Sequence, residues 1–125
     1  MTDTISTEKA ATPVGPYPHA RRVGELLYLS GIGPRQAGTN AIPKGIEAQT
    51  RATIENIRVI LEAAGSSLDK VLDVTVYLTD MKGDFERFNR VYAEYLGHVQ
   101  PTRTTVGVDS LPTPISVEMK VIAAC

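Results

Sequence analysis

The spacing of apolar positions divides the chain into helices and strands. From Gly45 onward, Ile46, Thr50, Thr53, Ile54, Ile57, Leu61 and Ala64 share one broad face, and Glu47, Arg51, Glu55, Arg58 and Glu62 lie outside it. That is the period of an amphipathic helix, and Gly65 suits its C-terminal cap. Phe85, Phe88, Val91, Tyr92 and Tyr95 repeat the spacing as far as Gly97 and predict a second helix, with Asp84 as its cap. Between the two, Val71 to Leu78 is rich in β-formers and reads as a central strand.

The remaining apolar runs alternate. Thr and Val alternate through Pro101–Val108, and Ile115, Val117, Met119 and Val121 fall on one side of the last run, so both read as half-buried strands, paired with each other. Their connection, Asp109–Pro114, carries two prolines and is expected to be an ordered surface loop. Leu26–Ser30, after a turn at Gly24-Glu25, reads as a buried strand. Residues 1–13 are polar and unpatterned, a loose arm or an edge segment, and Val14–Ala20 follows an extended, turning path that carries Tyr17 and His19.

The order strand, strand, helix, strand, helix, strand, strand predicts one domain over residues 1–125. Its class is α+β, a mixed sheet with two helices packed on one face. With no third helix for the other face, self-association into a symmetric homo-oligomer is the simplest cover.

Composition narrows the partners. Thirteen basic and fourteen acidic residues give a net charge of −1, which marks no nucleic-acid surface. No apolar run is long enough for a membrane span and the N-terminus lacks a secretory pattern, so a cytoplasmic protein is expected. The single cysteine, Cys125, has no disulfide partner and reads as an exposed thiol on a frayed end. His19, His98 and Cys125 lack metal-ligand spacing, so no metal site is expected, and His98 reads as a surface or capping residue. Gly31-Ile32-Gly33 is no phosphate loop, because Pro34 follows and no Gly-Lys-Ser/Thr does; these glycines read as turn or close-approach positions.

Candidate chemistry centres on two ionisable side chains in otherwise neutral strands, Arg103 and Glu118. A guanidinium offers a rigid fork for a carboxylate, and a carboxylate can position or activate water, so the two could share one cleft for a small acid. The same spacing fits a cross-strand ion pair at a surface, and the residues alone leave both readings open.

Several short motifs then agree in order: Gly15-Pro16-Tyr17, Leu29-Ser30-Gly31, Glu62-Ala63-Ala64-Gly65, Val76-Tyr77-Leu78-Thr79-Asp80, Phe88-Asn89-x-x-Tyr92, Pro101-x-Arg103, and Val117-Glu118-x-x-Val121-Ile122-Ala123. In this ordered set the chain resembles the Rid family, the YjgF-like reactive intermediate deaminases, over nearly its whole length. The resemblance implies a chorismate-mutase-like α+β fold and a homotrimer. It also implies clefts between subunits in which enamines or imines of small acids are hydrolysed to carbonyl compounds and ammonia, with no metal or organic cofactor. By position, Arg103 would clamp the substrate carboxylate and Glu118 would orient or activate water. Tyr17, Ser30, Gly31 and Asn89 would line the cleft.

The chain departs from the typical pattern at two places. Thr105 stands where typical members carry a cysteine, leaving a hydroxyl or the backbone N–H to act there. Pro18-His19 replaces the usual polar-glutamine pair, and Arg35 follows Ser30-Gly31. This variant pattern resembles the 2-aminomuconate deaminase branch of aromatic-compound catabolism. A dicarboxylate needs a second cation besides Arg103, for which Arg35, Arg22 and His19 are candidates. Three alternatives stand beside that expectation: a general deaminase of 2-aminoacrylate and 2-imino acids in metabolite damage control, a non-catalytic ligand-binding or interaction trimer, and a chorismate-mutase-like isomerase that releases no ammonia.

Overall fold

Ile46–Ala63 form helix α1 and Met81–Leu96 form helix α2 in the computed structural model, which describes residues 3–125. Among the described residues there are also six strands: β1 (Thr4–Ile5), β2 (Ala20–Val23), β3 (Leu26–Leu29), β4 (Val71–Leu78), β5 (Thr102–Gly107) and β6 (Val117–Ala124). They make one mixed sheet in the order β1-β2-β3-β6-β4-β5, with only the β4–β5 pair parallel. The expected α+β architecture, two helices on a mixed sheet, is the one found. Among the described residues no helix is long and apolar enough to cross a membrane.

The helix boundaries follow from local chemistry. Gly65 takes a positive φ of 81°, which only glycine adopts without strain, and the N–H groups of Gly65 and Ser66 donate to the carbonyls of Glu62 and Leu61. This closes the last turn of α1. α2 starts earlier than its apolar spacing suggests: Asp80, not Asp84, is the cap, its side chain accepting from the Gly83 N–H at 3.1 Å. Asp84 lies inside the first turn and pairs with Arg87.

The core lies between the helices and one face of the sheet. Leu27 and Leu29 of β3, Val74, Val76 and Leu78 of β4, and Val117, Met119, Val121 and Ala123 of β6 are all buried there against α1 and α2. The alternate residues Tyr28, Thr75, Tyr77, Glu118, Lys120 and Ile122 point to the other face, which no element among the described residues covers.

The expected pairing of the last two strands is wrong. β4 lies between β5 and β6, parallel to the first and antiparallel to the second. Alternation reveals which residues share a face and carries no information about which strand is the neighbour. The connection from β4 to β5 runs through α2, and such a crossover returns the chain parallel to its own strand.

The N-terminal arm supplies an edge strand, one of the two forms expected for it, and the C-terminal residue is better anchored than expected. The N-terminal arm is the edge strand β1, paired with β2 through Thr4 and Ile5, and Ala10 is buried in the core. Cys125 is half-buried rather than a frayed thiol: its N–H donates to the Glu25 carbonyl, and its Sγ accepts from Arg22 Nη1 at 3.0 Å.

Candidate active site

The loop Gly31-Ile32-Gly33 adds one isolated bridge to the sheet, with Ile32 and Met119 exchanging both backbone hydrogen bonds at 2.8 and 2.9 Å. The side chain of Glu118 on β6 lies against Gly31 of this loop. A Cβ at residue 31 would stand 2.5 Å from Glu118 Oε2, so the glycine is required for close approach. Two hydrogen bonds fix the loop from behind, Asn56 Nδ2 donating to the carbonyls of Gly33 and Arg35 at 3.0 and 2.8 Å.

Glu118 lines a small pocket with Val14, Tyr17, Gly31, Arg35 and Thr113. Among the described residues it has no ionic partner, and burial pushes its carboxyl above the usual carboxylate range. Such a group holds a proton closer to neutrality than a surface glutamate and can exchange it in both directions.

Arg103 stands elsewhere. It pairs with Val74 across the parallel ladder and so points to the helix side of the sheet, whereas Glu118 pairs with Tyr77 and points to the open side. Its guanidinium carbon lies 4.7, 5.5 and 5.9 Å from the ring centres of Tyr92, Phe88 and Phe85. Arg103 and Thr105 line a broad groove with Met81, Lys82, Phe85 and Arg87 at the start of α2. Within one chain Arg103 and Glu118 therefore open onto opposite faces of the sheet, and the cross-strand ion pair that their spacing allowed does not form.

The other expected residues divide between these places. Tyr17, Ser30, Gly31, His19 and Arg35 all line a recess beneath the N-terminal arm, which shares Tyr17, Gly31 and Arg35 with the Glu118 pocket. Ser30 is held there, its Oγ donating to the Pro18 carbonyl at 2.7 Å. Asn89 is half-buried on α2 and lines neither pocket nor groove.

The three candidates for a second cation fare differently. Arg22 faces the helix side, donating to the Ala64 carbonyl and to Cys125 Sγ, away from Glu118. His19 is buried with both ring nitrogens engaged: Nδ1 accepts from the Thr7 N–H at 3.1 Å, so Nε2 carries the proton and donates to the Ala11 carbonyl at 2.7 Å. It clamps the arm and has no donor to spare. Arg35 lies beside Glu118, and its two protein partners, Asn40 Oδ1 and the Thr12 carbonyl, are uncharged.

Two residues that build the site were missed by pattern reading. Asn56 and Gln49 are buried on the apolar face of α1, where Asn56 holds the glycine loop, and Gln49 Oε1 accepts from the Ser116 N–H at 2.7 Å. Their signal was available: amides at positions seven apart inside an otherwise apolar stripe need buried partners.

Comparison with known proteins bears on the family and the fold. The Endoribonuclease L-PSP family model matches residues 7–125. RidA of the Antarctic bacterium Psychrobacter superposes with a TM-score of 0.93 at 38% identity, covering 98% of each chain. The chain belongs to the Rid family. The RutC family protein SSO3206 of Saccharolobus solfataricus is 48% identical over 124 residues, 98% of both chains. Escherichia coli TdcF, named as a candidate reactive intermediate deaminase, is 34% identical across 98% of this chain and 97% of its own. Its structure with bound serine superposes with a TM-score of 0.92 and covers 98% of each chain. The Rid fold thus accounts for the sheet order, and a small amino acid occupies TdcF.

Proposed function

We propose that this Rid protein hydrolyses enamines and imines of small acids, releasing ammonia, in clefts formed where the Arg103 groove of one protomer meets the Glu118 pocket of its neighbour in a homotrimer. The observation that carries this reading is the pair of unneutralised groups: a half-buried carboxyl and a guanidinium, neither with an ionic partner among the described residues, on opposite faces of one sheet. A second copy would bring such faces together. It would also cover the open face, which displays Tyr28, Tyr77 and Ile122.

In that cleft Arg103 holds the substrate carboxylate through charge-assisted hydrogen bonds and fixes its register. Glu118, as the acid, protonates the enamine carbon and leaves an iminium. The resulting carboxylate takes a proton from water as the water oxygen bonds to the iminium carbon. Returned to the nitrogen, that proton makes ammonia the leaving group. The hydroxyl proton passes back to Glu118 as the C–N bond breaks and the carbonyl forms. One carboxyl group whose protonated form is favoured by burial serves every step. Tyr17 and Ser30 shape the wall, and Gly31 gives the approach.

For the substrate we favour a dicarboxylate, 2-aminomuconate. Arg35 supports this, being the one second-cation candidate that lies beside Glu118 with only uncharged protein partners. RNA cleavage, the activity in the family model's description, has less support: the net charge is −1 and the only buried histidine is fully engaged by backbone.

The test is ammonia release from enzymatically generated 2-aminomuconate and from 2-aminoacrylate, with wild type, Arg103→Ala and Glu118→Gln. Release by wild type and its loss in both variants is the expected result. Preference for 2-aminoacrylate would remove the dicarboxylate assignment, and no release from either substrate would leave a ligand-binding trimer.

A further inference from the structure

Arg103 is held in an unusual way for an arginine inside a protein. It makes no ion pair and no side-chain hydrogen bond among the described residues; its contacts are the rings of Phe85, Phe88 and Tyr92. These three follow one another at helical spacing on α2, so a single helix face presents them as a surface beneath the cation. Tyr92 is the closest, at 4.7 Å, and its own ring is braced by Phe88 at a centroid distance of 5.7 Å.

The choice of rings has a chemical consequence. A carboxylate partner would orient Arg103, but it would also neutralise the charge and occupy the N–H fork that a substrate carboxylate needs. An aromatic face attracts the guanidinium through its quadrupole and consumes none of the in-plane donors. We infer that Tyr92, braced by Phe88 and joined by Phe85, is a positioning residue for substrate binding: its ring holds the Arg103 guanidinium at the groove with its charge and donors unspent.

The hydroxyl of Tyr92 plays no part in this. It is buried without a hydrogen-bond partner among the described residues, so none of them fixes the ring through it. The ring alone carries the effect, which separates the proposal from a general packing role.

This inference rests on Arg103 being the carboxylate clamp, so the test reads binding apart from turnover. Pyruvate serves as the probe, titrated calorimetrically into wild type, Tyr92→Phe, Tyr92→Leu, Phe85→Leu and Arg103→Ala, alongside kcat and KM for ammonia release. Tyr92→Phe is expected to bind within about twofold of wild type, and Tyr92→Leu about tenfold more weakly, with KM raised and kcat held within about twofold. Phe85→Leu, at the half-buried rim of the surface, is expected to lose about threefold in the same direction and carries the test should Tyr92→Leu fail to fold. Equal binding by wild type and the leucine variants would overturn the inference, as would a loss in Tyr92→Phe matching that in Tyr92→Leu. Pyruvate binding unchanged in Arg103→Ala would instead remove the clamp itself, and the positioning role with it.

Discussion

Gly31 and Glu118 are in such close approach that a single added carbon at residue 31 would collide with the carboxyl group, 2.5 Å from Oε2 and 2.9 Å from Cδ. The atoms in the way are the far end of a side chain, not backbone. Gly31→Ala should therefore fold, with Glu118 turned aside, and fail as a catalyst. We expect kcat to fall by about ten- to a hundredfold with a melting temperature close to wild type. A variant with full activity would show that the placement of Glu118 is not critical.

Burial raises the Glu118 pKa, and the sign of its effect on stability follows. The folded state holds this proton more tightly than the unfolded chain, so the favourable contribution is complete below the unfolded pKa and is lost as pH rises through the folded value. Glu118→Gln, which cannot ionise, should melt together with wild type below about pH 4 and at a higher temperature at neutral pH. The same substitution should lower ammonia release by about a hundredfold or more. Thermal melts across pH check the first statement and initial rates the second.

The opposite faces of Arg103 and Glu118 make a sharp prediction about assembly. Arg103→Ala and Glu118→Gln should each be inactive alone. Unfolded together and refolded at equal concentrations, they should regain activity in about a quarter of the clefts, those that receive an intact arginine from one protomer and an intact glutamate from another. Absence of any recovery in mixed oligomers, whose formation is checked by mass, would place both residues of each cleft in one chain.

Arg35 should govern substrate choice rather than chemistry. Arg35→Gln is expected to reduce kcat/KM for 2-aminomuconate by about ten- to a hundredfold and to change that for 2-aminoacrylate by less than about threefold. Equal losses on both substrates would assign Arg35 to the structure of the loop.

Asn56 bears on stability. Both of its known hydrogen bonds run from Nδ2 to carbonyls of the glycine loop, and the residue is buried. Asn56→Ala leaves those carbonyls without their donor and should cost about 1–3 kcal/mol in denaturant unfolding. Activity should fall with it, because the loop that positions Gly31 is released.

The sequence by itself determined much of this protein. The periods of α1, α2 and β4, the glycine that ends α1 and the alternation along β6 are short-range patterns, and each was legible because neighbouring residues set backbone conformation and burial together. The ordered motifs carried the family. The tertiary structure alone decided the rest. Alternation gives a strand its two faces but no neighbour, so the insertion of β4 between β5 and β6 could not be read, nor the consequence that Arg103 and Glu118 face opposite ways. The clamp formed by His19 on Thr7 and Ala11 joins residues 12 and 8 positions apart through a fold-dependent turn. A guanidinium over three rings depends on how a helix packs against a strand edge, which the order of residues along either element does not state.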